Sequence, residues 1–500
     1  MKPGKTTTPA IVSPLFMVLA LFCSAQGALA QSAFPALPDD KPLSGIPDSA
    51  DIRIRLWTSL ISARPASVMA MKPKTETNPW GSWRLSMDRG QDAFYLSIIP
   101  ARQPLPAANT GTSPSPYIAP VPATSGNTPV SYAQYTQGTW IIKRSSSTGD
   151  FLQVKIFLRS DPGTFARIYP FGERSRMDIV AYGGVLYREV IVPLSFEDSL
   201  RSPLSRIIRL TSDVVDWSLF SPDPALHAET RSLAASIRTW LPGLRYGDDG
   251  ALDADGRPVY IASLLPQGPL PGLNCSGFVK WIADGILHPL TGSWLSVAAI
   301  KERMTDWRGS SFTERFEETH DPFFGLDWSR ALAKEAWQVM YPGRNEDSPL
   351  AHDVSDPPFA LIVNDSSPVN GGSSYRSFTD NFDDAGIEMS GLKATLFMLA
   401  SREPGRFYLA QFNAQDPQPP SLRRYFHIAA LFPYFDTDGI FKVAVFESAE
   451  ETSLDRILGS RLYEYVKLVR MPASARFEPP LLGPPAEATA AEIQATTGRP

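Results

Sequence analysis

The amino-acid sequence predicts an α+β fold, in which a β-rich N-terminal region precedes a domain built from a helix on a small antiparallel sheet. Three observations predict it. Apolar and polar residues alternate, the period of a half-buried strand, through much of residues 51–200. After Cys275 the apolar residues Phe278, Val279, Ile282 and Ile286 recur at helical spacing. Further on, the apolar runs Tyr425–Phe432 and Ile440–Phe446 flank a turn at Asp436-Thr437-Asp438-Gly439 and predict a β-hairpin.

Residues 1–30 read as a removable signal peptide. Lys2 and Lys5 precede a mostly apolar run, Pro14–Ala25, too short to span a bilayer, and Ala28 and Ala30 form an A-x-A cleavage pattern. Acylation at Cys23 would require a small residue where Phe22 stands. The expected product is exported, periplasmic or secreted. Loss of the two lysines takes its formal charge from −5 to −7, which argues against a nucleic-acid partner, since phosphate binding needs a clustered cationic surface. No later run approaches about 18 apolar residues, so no transmembrane helix is expected in the mature chain. Of the two cysteines only Cys275 would remain, which excludes an internal disulfide and leaves buried filler, an intermolecular link or a reactive centre.

Residues 31–50, rich in Pro, Asp and Ser, form a flexible lead-in. Residues 51–200 form the β-rich accessory domain. Ile52, Ile54 and Leu56 alternate with charged residues, as Phe94, Leu96 and Ile98 alternate with their neighbours. In Asp178–Leu194 the pair Gly183-Gly184 suits a two-residue hairpin turn, and the Pro/Thr/Ser-rich stretch 103–129 reads as a long loop. Leu204, Ile207 and Ile208 open a helical connector over 201–242. A second domain follows over 243–475, and the Pro- and Ala-rich tail 476–500 is expected to be disordered.

The chemistry concentrates in GLNCSGFVKWIADG, residues 272–285. Asn274 is a good N-cap and places Cys275 in the first helical turn. Free backbone N–H groups and the positive end of the helix dipole then favour thiolate, the nucleophilic form. Ser276 and Gly277 leave the sulfur approachable, and the same amides suit an oxyanion formed by attack on a carbonyl. Of the five histidines only His427 opens an apolar strand. Centring the hairpin on its turn sets His427 opposite Glu447 or Ser448, so Glu447 is placed to orient the imidazole.

The segment Asn274-Cys275-Ser276-Gly277-Phe278-Val279 resembles the D-C-S-G-[FL]-V nucleophile motif of the papain-like NlpC-type cysteine peptidases, with Asn274 in place of the usual Asp. His427-Ile428-Ala429-Ala430 resembles that family's H-[VI]-[GA]-[IL] strand, and Phe446-Glu447-Ser448 occupies the place of its third polar residue. The resemblance implies an NlpC-type domain with Cys275, His427 and Glu447 as catalytic residues, acting through a thioester on a peptide or amide bond of peptidoglycan. It also implies a tyrosine near the oxyanion site, where Ser276 lies. Tyr260 is the candidate and Tyr246 the alternative. His427 lies 152 residues after Cys275 (427 − 275), so an insertion is expected at about 288–405, with Trp294, Trp307, Trp328 and Trp337 distributed through it.

Two other functions use the same residues: an acyltransferase or lipid amidase sharing the thioester chemistry, and an envelope scaffold in which the thiol is inert. No cofactor or metal is expected, since neither H-E-x-x-H nor a paired-histidine spacing occurs and Asp253, Asp255 and Gly256 read as a turn rather than a calcium loop; no G-x-S-x-G elbow supports a serine hydrolase.

Overall fold

Alternation carries over into strands most directly in the N-terminal half. A computed structural model describes residues 46–101, 132–303, 321, 323–343, 348, 350–355, 360–364, 373–377, 381–382, 385–415 and 423–482. The expected signal peptide, most of the lead-in, the 103–129 loop, Trp307 and residues 483–500 lie outside the described residues. The described part belongs to one compact unit, Leu43–Pro500. Its helices and antiparallel sheets make an α+β fold.

The first sheet is an antiparallel meander, β1 Lys74–Asn78, β2 Gly81–Arg89, β3 Ala93–Pro100, β4 Trp140–Ser145, β5 Phe151–Phe157, β6 Phe165–Phe171, β7 Arg174–Ala181 and β8 Gly184–Val192, paired in that order. Phe94, Leu96 and Ile98 on β3 are fully buried.

Two local expectations need correction. Ile52, Ile54 and Leu56 are not a strand. Ala50–Arg55 is a helix with Asp51 in its first turn and Arg53 and Arg55 in its last, matching the helix dipole. Ile52 and Leu56 are buried one turn apart while Ile54 is exposed, and Arg53 is buried with its guanidinium 3.2 Å from the Trp140 ring centre. The β7–β8 turn is Tyr182-Gly183, one residue earlier than expected. Both have positive φ, 49° and 87°, and Ala181 pairs with Gly184.

After the helices Leu204–Thr211 and Ala228–Trp240, a short pair, β9 Gly250–Leu252 and β10 Pro258–Tyr260, leads to the helix Cys275–Thr291. The remaining strands are β11 Ala360–Asn364, β12 Ser373–Ser377, β13 Asn381–Phe382, β14 Gly386–Glu388, β15 Arg406–Gln415, β16 Arg423–Phe435, β17 Phe441–Glu447, β18 Glu450–Thr452 and β19 Tyr465–Pro472. All but β11 and β12 join an antiparallel sheet ordered β13-β14-β19-β15-β16-β17-β18.

The Cys275 helix packs on β9 and β16, and its buried Phe278, Trp281, Ile282 and Ile286 share a core with Leu409, Ala430, Phe432, Phe446 and Val469 of the sheet. A second helix, Phe324–Met340, lies within the expected insertion but packs on β19, β16 and the Cys275 helix. Its Trp328 is 1% exposed, a burial that contributes roughly 3 kcal/mol. Of the tail expected to be disordered, residues 477–482 are described and pack on the Cys275 helix. Phe477 meets Trp281 edge-on at 5.3 Å, and the Pro480 carbonyl accepts from Trp281 Nε1 at 2.9 Å. Among the described residues no helix is long and apolar enough to cross a membrane.

Candidate active site

The N-terminus of the Cys275 helix is built by capping and by the absence of side chains. Asn274 Oδ1 accepts from the Gly277 N–H at 2.8 Å, so Cys275 is the first helical residue. The Asn274 N–H donates in turn to the Gly250 carbonyl at 3.0 Å. A Cβ at position 277 would fall 2.0 Å from that carbonyl oxygen, so only glycine lets the first turn approach β9 this closely. The helix runs for 17 residues and ends at Gly292, in the left-handed region at φ 68°. Halfway along it, the fully buried Lys280 and Asp284 form an ion pair at 2.6 Å, and Asp284 also accepts from the Leu295 N–H.

His427 is presented by a β-bulge. β15 pairs Phe412 with His427 and Asn413 with Tyr425, so Phe426 is an extra residue on β16. The β16–β17 register also differs from the expected one. Ala430 lies opposite Phe446 and Leu431 opposite Val445, a ladder that would set His427 opposite Ala449. β17 ends first, at Glu447, and a tight turn through Ser448 and Ala449 folds back into β18 with Glu447 opposite Glu450. Both turn residues have positive φ, 49° and 68°. The turn leaves Glu447 beside the histidine, and Glu447 Oε2 lies 2.6 Å from His427 Nε2. Both side chains are under one-fifth exposed.

With Nε2 engaged, Nδ1 is the ring nitrogen left to meet the sulfur, and hydrogen bonding and charge between His427 and Cys275 shift the pKa of both. Burial pushes the thiol pKa up. The His427 hydrogen bond and charge, the Ile428 backbone N–H and the Ser276 hydroxyl outweigh burial and bring it below the ordinary thiol value. Burial likewise disfavours the imidazolium, but hydrogen bonds to Cys275 and Glu447 raise its pKa to about 9. Each shift favours the charged form of its own group, thiolate for Cys275 and imidazolium for His427.

Of the other expected site residues, Ser276 is buried, its hydroxyl is among the groups that lower the thiol pKa, and its carbonyl accepts from Trp328 Nε1 at 3.0 Å. Tyr246, the alternative tyrosine, feels the charge of Cys275. Its hydrogen bond to Asp248 comes first among the causes, with burial and the charges of Asp248 and Cys275, that lift its phenol to about 12. Tyr260 is placed on β10 opposite Gly250, the residue whose carbonyl holds Asn274. Two contributors escaped the sequence reading: the Ile428 N–H, visible only once β17 is known to stop short, and Tyr463, which reaches the site from the loop before β19.

The remaining described histidines pack elsewhere. His227 meets Phe435 edge-on with its pKa lowered to about 4 by burial, His288 stacks on Trp294 at 3.6 Å, and His352 stacks on Trp337 at 5.1 Å. The Asp253 carboxylate accepts from the Val297 N–H at 2.8 Å. Among the described residues no group of three or more His, Cys, Asp or Glu is arranged to hold a metal ion.

Residues 42–219 match a family described as Domain of unknown function (DUF8515). The matched span contains the meander β1–β8 and ends before the segment that carries Cys275. No curated protein and no solved structure matches the chain.

Proposed function

We propose that the chain is an exported cysteine hydrolase of the NlpC-like kind, cleaving amide or peptide bonds of peptidoglycan through a thioester. One observation carries the reading: a single imidazole joins the thiol at the start of a helix to a carboxylate that fixes its far nitrogen. In the proposed reaction the Cys275 thiolate attacks the amide carbonyl carbon. The oxyanion forms beside the N–H groups of the first helical turn and the Ser276 hydroxyl. Protonated His427 gives its proton to the departing amine, the C–N bond breaks, and a thioester remains. Neutral His427 then takes a proton from water as the water attacks. The C–S bond breaks, the acid product leaves, and thiolate and imidazolium are restored.

The test is incubation with peptidoglycan fragments under reducing conditions, with Cys275→Ala alongside. New amine termini from the wild type alone are expected. Their absence, with Cys275 still reactive toward iodoacetamide, overturns the substrate assignment.

A second reading, transfer or hydrolysis of an apolar acyl group, is favoured by the loop that precedes the cysteine. Leu264, Leu265 and Leu270 stand 39%, 63% and 65% exposed there, on a segment tied down by Gln267, which hydrogen-bonds Val259 and Gly272. It predicts fatty-acid release or acyl transfer to an added amine, without muropeptide cleavage.

A further inference from the structure

Two rings stack on the imidazole, Phe412 from β15 and Tyr463 from the loop before β19, and a third, Phe426 of β16, meets Tyr463. Tyr463 lies parallel to His427, with ring centres 5.8 Å apart and planes within 3°. Its ring also stacks on Phe412 at 4.6 Å and meets Phe426, the bulge residue, at 5.8 Å. Phe412 stacks on His427 at 6.0 Å. The loop that delivers Tyr463 is fastened on its far side. The Glu464 N–H donates to the Asn413 carbonyl at 3.1 Å, the Glu464 carboxylate pairs with Arg423 at 3.1 Å, and the Met389 N–H donates to the Glu464 carbonyl at 3.2 Å. Tyr463 is thus held independently of the histidine it faces.

An imidazole bound at Nε2 alone can still swing about that hydrogen bond. Glu447 fixes one ring nitrogen but not the plane of the ring, and Nδ1 must stay aimed at the sulfur. A flat wall parallel to the ring removes that freedom, and an aromatic face also attracts a cationic ring. We infer that Tyr463 is a positioning residue whose ring holds the imidazole of His427 in the plane that joins Glu447 to Cys275. The inference rests on the proposed pairing of Cys275 with His427. It assigns the work to the phenol ring and not to its hydroxyl. Consistent with this, burial first, and then the charges of Glu447 and Cys275, raise the phenol to about 12, so it stays neutral throughout the range in which the pair operates.

The test reads the rate of Cys275 alkylation by iodoacetamide against pH, which needs no substrate. Wild type is expected to label rapidly at pH 6. Tyr463→Phe, which keeps the ring, should stay within about twofold of it. Tyr463→Met, of similar bulk without a flat face, should label at least tenfold more slowly at pH 6, with its midpoint moved toward the ordinary thiol value of about 8.5. Leu462→Ala, at a neighbouring position 69% exposed, serves as the control and should match wild type. A Tyr463→Met profile equal to wild type overturns the positioning role while leaving the pair intact. Slow labelling of wild type itself at pH 6 overturns the pair and, with it, the positioning role. A reading free of variants comes from selectively labelled wild type, where nuclear Overhauser contacts should link the Tyr463 and His427 rings. Their absence also overturns the inference.

Discussion

Glu447 touches neither the sulfur nor any substrate, yet His427 depends on it. A carboxylate 2.6 Å from Nε2 stabilises the imidazolium, and the imidazolium in turn stabilises the thiolate. Glu447→Gln keeps a hydrogen-bond acceptor but removes the charge. It should lower the His427 pKa from about 9 and slow Cys275 alkylation at pH 6 about tenfold, the equivalent of about one pKa step. The raised histidine pKa also enters stability, with a definite sign. A group whose pKa rises on folding contributes fully below its unfolded value near 6.5 and loses that contribution as pH climbs through about 9. The difference in urea-unfolding free energy between wild type and His427→Gln should therefore be greatest below pH 6.5, shrink as pH rises from there, and be gone above about 9. At this scale most of the candidate site was legible, because Asn274, Cys275 and Glu447 carry local signals, a cap, a helix start and a strand end, while His427, read as opening its strand, lies four residues into β16. Tyr463 carries none. Its loop is tied to the site only by contacts between distant parts of the chain.

Elements set these side chains by where they stop. The Cys275 helix can begin against β9 because Gly277 has no Cβ, and β17 delivers Glu447 because it turns away through two residues in the left-handed region. Gly277→Ala forces its methyl into the Gly250 carbonyl, so it should cost about 3 kcal/mol in urea denaturation, with loss of low-pH Cys275 reactivity. Ala449→Gly acts oppositely, relieving about 1 kcal/mol of left-handed strain and raising the denaturation midpoint. The helix and both hairpin strands were legible from period and turn residues. The register was not. Centring on Asp436–Gly439 counts four connecting residues, whereas the ladder closes at Phe435 opposite Phe441 and Ile440 belongs to the turn. Ile52 and Leu56 were misread for a related reason, since a short amphipathic helix with charges between apolar residues mimics strand alternation.

Across the molecule, the β16–β17 hairpin has two occupied ends. One carries His427 and Glu447, and the other docks on the meander. Tyr182 of the β7–β8 turn packs between Phe397 at 5.2 Å and Phe441 at 5.1 Å. Arg159 donates to the Gly439 carbonyl and lies over Phe435. Such shared packing predicts that heat unfolds meander and sheet together, as one calorimetric transition. Two resolved transitions, or a Tyr182→Ala variant with an unchanged melting temperature, would contradict it. Nothing in the sequence announced this union, because its contacts join turns far apart along the chain.

The bulge at Phe426 has a consequence of parity. A strand assigns its residues to alternate faces by counting, and one extra residue inverts the count for everything beyond it. Tyr425 is buried in the core and His427 points to the sulfur because an odd residue stands between their two ladders. The bulge therefore lets two residues that a regular strand would put on one face take opposite faces, whatever the side chain between them. Phe426→Ala should leave His427 in place and Cys275 reactive at pH 6. Deleting Phe426 makes Tyr425 and His427 consecutive, and consecutive strand residues face opposite sides, so both can keep their partners Asn413 and Phe412 and the low-pH reactivity of Cys275 should survive. Its loss in that variant would show that the bulge does more than set the faces.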